Sequence, residues 1–123
     1  MHPDLLKRPQ PLTVIFYKTA AGREPVRDWL MTLPKELRTT IGVDIWKAQS
    51  EWPLGMPHVR ALGDGLHEVR SNFPEGIART LCYVDRDVMV LLHGFIKKTE
   101  KMPPADLSLG RKRKKDHEQN KKS

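Results

Sequence analysis

The chain has 123 residues, a charged fraction of 30% against a hydrophobic fraction of 38%, and a formal net charge of +7. That length bounds it to about one domain with one hydrophobic core, and a single cysteine, Cys82, excludes an internal disulfide framework. No stretch approaches the roughly 18 apolar residues of a membrane-spanning helix, and MHPDLLKRPQ lacks the apolar run of a secretory signal, so a cytoplasmic protein without a membrane partner is expected.

Residues 1–11 hold Pro3, Pro9 and Pro11 and read as an irregular lead-in. LTVIFYK, Leu12 to Lys18, is a β-branched and aromatic run suited to a first strand. After the loop TAAGREP, Pro25 suits the first turn of a helix, and Val26, Trp29, Leu30 and Leu33 share one helical face. Pro34 ends that helix and starts the next, whose stripe is Leu37, Ile41, Ile45, Ala48 and Trp52. Pro53 to Gly65 reads as a Pro- and Gly-rich loop. Three strands follow, LHEVRSN, IARTLCYV and VMVLLHGFIKK, joined by the turns FPEG and Asp85-Arg86-Asp87. They make an antiparallel meander.

Pro103-Pro104 opens a short helix at about 103–114, with only Leu107 and Leu109 apolar and Gly110 interrupting it. The order is β-α-α-β-β-β(-α), an α+β fold in which a helix hairpin covers one face of a small, mainly antiparallel sheet. The domain spans 12–110. Residues 111–123, RKRKKDHEQNKKS, form a basic tail with seven Lys/Arg against two Asp/Glu. Such a tail attracts nucleic acid without reading sequence; equally, it reads as a solvated end that aids solubility. Lacking apolar residues, it is expected to add little to thermal stability.

Strand alternation places Leu66, Glu68 and Arg70 on one face, and Ile77, Arg79, Leu81 and Tyr83 on one face of the next strand. In a register that joins those faces, a carboxylate and two guanidiniums converge, with Lys97 and Lys98 ending the third strand beside them. Guanidiniums bind phosphate oxygens in pairs and lysine supplies a point charge, so this end of the sheet reads as a phosphate site. Plainer readings stand beside it: Arg70 with Glu68 as a surface pair, and Lys97 and Lys98 as charges that guard an edge strand. Tyr83 fits a core position or a platform for a base. His93, between Leu92 and Gly94, is favoured as a hydrogen-bonded structural histidine over an RNA contact. His58, His67 and His93 lack ligand spacing, so no metal and no cofactor are expected.

The phrases GLHEVRSNFPEGIARTLCYV and VMVLLHGFIKKTEKMPP resemble the phage-derived HigB-type toxins of the RelE superfamily, and the likeness runs over about residues 12 to 108. The resemblance implies a RelE-like fold and the toxin of a type II toxin–antitoxin pair. Such a toxin is an endoribonuclease that cuts mRNA on the ribosome, and its partner is a helix-turn-helix, HigA-like antitoxin. RNA brings its own nucleophile, the 2′-hydroxyl. Cleavage then needs a base, positive charge at the phosphate and an acid, but no metal. Arg70 and Arg79 would stabilise the developing charge, and Lys97, Lys98 or Glu68 would act as base. Tyr83, His93, Lys101, Arg111 and Arg113 are the candidate RNA contacts. Arg79→Ala is expected to silence the toxin with its fold intact. Two other readings remain: a non-catalytic toxin of the same fold that binds DNA gyrase, and a regulatory RNA- or DNA-binding module that uses the basic tail.

Overall fold

The β-branched run Thr13 to Phe16 forms β1, the first element of a computed structural model that describes residues 11–121. The expected lead-in therefore lies almost wholly outside the described residues, as do the last two residues of the tail. Helix α1 (Pro25–Met31) starts on its proline, whose missing N–H costs nothing at that position. Helix α2 (Lys35–Ser50) buries Ile41, Ile45 and Ala48, the stripe its spacing predicts. Strands β2 (Val59–Gly63), β3 (Leu66–Phe73), β4 (Gly76–Asp85) and β5 (Val88–Lys97) follow, then helix α3 (Pro104–Lys121).

The sheet order is β1-β5-β4-β3-β2. β1 pairs with β5 in parallel, and the other pairings are antiparallel. The architecture is α+β, compatible with a RelE-like fold. No helix among the described residues is long and apolar enough to cross a membrane.

Two expectations are corrected. The segment Pro53–Gly65 is not all loop, because Val59 to Gly63 adds a fifth strand on the edge of β3. Its turn, Gly63-Asp64-Gly65, takes positive φ at all three residues (94°, 56° and 80°), which suits glycine and aspartate. The C-terminal helix also does not stop near residue 114 but runs to Lys121.

Little of α3 is apolar. Polar ties to the sheet replace the missing stripe. Arg113 donates to the Leu92 carbonyl at 2.9 Å, Tyr17 donates to Asp116 at 2.6 Å, and Tyr83 Oη lies 2.5 Å from His117 Nδ1. Lys121 pairs with Asp85 beyond them. Gly110 is buried against Leu81, where a Cβ would come within 2.8 Å of the leucine methyl. Residues 111–121 of the expected solvated tail are thus part of a docked helix, and deleting them would remove these ties.

The sheet has two unlike faces. On one, Val69, Ala78, Cys82, Met89 and Leu91 pack against Ile41, Ile45 and Ala48 of the helix hairpin. On the other, Leu66, Leu81, Tyr83, Val90, Leu92 and Phe95 lie with Leu107 and Met102. A register shift at Leu81/Cys82, opposite Leu91 and His93, puts an extra residue into β5. It carries the second face onward to the end of the sheet, where the charged residues gather.

Candidate functional site

The site forms where β3 and β4 run under the segment that leaves β5. Arg70 stands opposite Arg79 in the β3–β4 register, and Glu68 opposite Leu81, so the alternation read from sequence does bring these side chains onto one face. Arg70 Nη1 donates to Glu68 Oε1 at 2.9 Å. The second oxygen of Glu68 lies 3.7 Å from Arg79 Nη1. One carboxylate therefore sits between two guanidiniums, and the side chains of Glu68 and Arg79 are both 0% exposed. This is not the surface pair of the plainer reading.

Arg79 turns its donors inward. It donates to the main-chain carbonyls of Thr99 and, at 3.2 Å, Lys101, while Phe95 lies below the guanidinium with its ring centre 5.9 Å away. Arg79 thereby clamps the strap 98–102 over the end of the sheet. In this arrangement it is enclosed and touches no surface from which RNA could reach it. Arg70 is also buried, its side chain 6% exposed, but it is reached from the solvent side. Its Nη2 donates to Glu100 Oε2 at 2.5 Å, and the Glu100 side chain is 70% exposed. Burial opposes the charge on Arg70, but the hydrogen bonds to Glu68 and then Glu100 outweigh it and push its pKa upward.

The lysines at and beyond the end of β5 stand outside this network. Lys97, the last residue of β5, and Lys98 and Lys101, on the strap, are all exposed. The other expected RNA contacts fall elsewhere. Tyr83 is 3% exposed, bound to His117 and covered by Lys114, so it offers no face to a base. Burial, then the charges of Glu118 and Asp85, push its hydroxyl up to about 12.

His93 is a structural histidine, with Nε2 2.6 Å from Asp106 Oδ1 and its ring stacked on Phe95. Arg113 is half-buried, spent on the Leu92 carbonyl and lying over the Tyr17 ring. Arg111 is exposed, 4.0 Å from Asp64. No group of acidic, histidine or cysteine side chains able to hold a metal ion occurs among the described residues.

Two members of the site escaped the sequence reading. Arg60 lies opposite Glu68 on β2 and donates to the Glu100 carbonyl at 3.4 Å. Its strand had been read as loop, although Asp64-Gly65 beside alternating residues is a hairpin signal. Glu100, a lone acid within KKTEK, carried the mark of a charge reversal and no more.

A family model described as Phage derived protein Gp49-like (DUF891) matches residues 28–115, more than half of the chain. The chain belongs to the phage-derived Gp49-like family. That is a toxin family of the RelE superfamily, and a toxin family suggests an antitoxin partner. No curated protein matches the chain. The matched span of this Gp49-like protein begins in α1 and ends within α3. It includes the whole Glu68–Arg70–Arg79 network and the strap above it.

Proposed function

We propose that this Gp49-like protein is the toxin of a type II toxin–antitoxin pair, a HigB-type endoribonuclease that cuts mRNA on the ribosome without a metal ion. The observation that carries the reading is the exposed trio Lys97, Lys98 and Lys101, which flank in sequence the Glu100 whose carboxylate reaches Arg70 in a buried guanidinium–carboxylate network. In the proposed reaction the 2′-oxygen attacks the adjacent phosphorus and the bond from phosphorus to the 5′-oxygen breaks. A 2′,3′-cyclic phosphate and a 5′-hydroxyl result. The lysines meet the phosphates, one of Lys97 and Lys98 takes the 2′ proton, the other as an ammonium gives a proton to the leaving 5′-oxygen, and Arg70 stabilises the phosphorane charge. Glu68 and Arg79, both enclosed, serve as positioning residues that hold Arg70 and the strap. The antitoxin in this reading is the helix-turn-helix protein implied by the resemblance.

The test is induction of the chain in growing cells, followed by primer extension on translated mRNA. Discrete cuts are expected, with losses of about 10²–10³ in rate for Arg70→Ala, by analogy with removal of one oxyanion donor. Growth arrest with intact mRNA and a DNA-damage response would replace this reading with gyrase binding.

A further inference from the structure

Arg70 has two carboxylate partners of opposite character. Glu68 is sealed beneath it, shared with Arg79. Glu100 reaches it from the solvent side, on a side chain that is 70% exposed. The backbone on either side of Glu100 is held, because Arg79 binds the carbonyls of both Thr99 and Lys101, and Arg60 donates to the carbonyl of residue 100 itself. The strap is fixed while the carboxylate it carries can swing out by rotation about its own side-chain bonds, with no loss of buried apolar contact. Two guanidiniums and two carboxylates leave the network neutral. Moving Glu100 aside frees one Arg70 donor on the solvent side, on a segment whose exposed neighbours in sequence are Lys97, Lys98 and Lys101.

We infer that Glu100 is a built-in phosphate mimic: its carboxylate occupies the Arg70 donor that receives an RNA phosphate, and RNA binds by displacing it. The inference rests on the RNA-cleaving reading and adds the regulation of that site. The ligand class is a phosphodiester. A carboxylate and a phosphate oxygen accept from a guanidinium in the same way, so exchange costs no charge imbalance. The self-ligand keeps a cationic site from holding every polyanion it meets. It yields only where the lysines bring a phosphate chain in register.

The experiment uses the full chain and a short RNA oligonucleotide carrying 2′-O-methyl groups throughout, which supplies phosphates but no nucleophile. Binding is read by fluorescence anisotropy over a range of salt. Glu100→Gln is expected to bind about tenfold more tightly at low salt, the effect of one charge-assisted hydrogen bond regained. Its salt slope should steepen by about 0.7, one single-strand phosphate contact. Glu100→Asp, which keeps the charge on a shorter arm, should fall between the two. Glu51→Gln, the same charge change on an exposed residue at the C-terminal end of α2, should match the wild type. Equal binding by Glu100→Gln and the wild type overturns the inference, and so does an equal gain from Glu51→Gln. Because this readout needs no cleavage, mRNA left uncut by the wild-type chain would remove the nuclease reading while leaving the exchange at Arg70 to stand or fall by its own data.

Discussion

The two faces of the sheet are held by different physics. Under the helix hairpin, Val69, Ala78, Cys82, Met89 and Leu91 meet Ile41, Ile45 and Ala48, and the stabilisation is burial of apolar area. Under α3 and the strap, the same strands carry Glu68, Arg70, Arg79 and Tyr83, and much of the cohesion comes from polar pairs that must find one another. A contact between apolar groups tolerates small shifts, whereas a buried ion is stable only with its partner in place. The proposed chemistry sits on the demanding face, where charges can be aimed, and the forgiving face keeps that sheet rigid.

The largest expected break in this comparison is Arg79→Ala. It leaves Glu68 buried without the second of its two cations and releases the carbonyls of the strap. We expect a loss of about 3–5 kcal/mol in denaturant unfolding. The sequence alone had pointed to loss of toxicity with an intact fold. Full burial of Arg79 makes stability part of the effect, so a silent Arg79→Ala variant does not identify a group that touches RNA. Pairing it with Glu68→Leu should restore part of the loss, since no buried charge is then left alone. A double variant no more stable than Arg79→Ala would contradict this account.

How much of this was readable follows from the range of the interactions. The helix stripe and the meander are local periodicities, and Ile41, Ile45 and Ala48 on α2 and the shared face of Glu68, Arg70 and Arg79 could be read from spacing. β2 hid because five residues between prolines and glycines make a weak strand pattern, although Asp64-Gly65 marked its hairpin. The end of α3 hid for another reason. Asp116 and His117 are fixed by Tyr17 and Tyr83, 99 and 34 residues earlier in the chain, and no local period records such a partner. The depth of Arg79 and the role of Glu100 depend on the path of the strap, which composition does not disclose.

Two glycines sharpen the comparison at a smaller scale. A Cβ on Gly94 would fall within the Trp29 ring on the hairpin face, whereas one on Gly110 would press chiefly on the movable end of Leu81 under α3, with Leu66 in ordinary contact. Gly94→Ala is expected to cost about 1–3 kcal/mol through overpacking. Gly110→Ala gains about 1 kcal/mol of helix propensity against its contact and should stay close to the wild type. Melting curves for the two variants decide it, and an equal loss at both sites would mean that the α3 face is packed as tightly as the other.

A further comparison lies at high pH, on neighbours that point to opposite faces. Burial pushes the Cys82 thiol up to about 12 from 9.0, and burial followed by Glu118 and Asp85 pushes Tyr83 up to about 12 from 10.0. A raised folded pKa gives stability that is complete below the unfolded value and disappears as pH climbs through the folded one. The Cys82 contribution should therefore decline from about pH 9 and that of Tyr83 from about pH 10, both vanishing beyond about 12. Subtracting the stability curve of Cys82→Ala, and then of Tyr83→Phe, from the wild type isolates each decline. A flat difference across that range would show that the group in question is not sealed from water.

The ties of α3 have one further consequence, which concerns how the chain can change over generations. Arg113, Asp116, His117 and Lys121 meet their partners because one continuous helix sets their angular spacing. One residue inserted just after Gly110 turns every later side chain by about 100° and moves it about 1.5 Å along the axis, so all four connections fail together. A nonsense codon, by contrast, strips them in order from the end. The segment that looks most like a freely variable charged tail should therefore accept shortening from its end, and many exchanges of its outward residues, far more readily than an insertion or deletion within it.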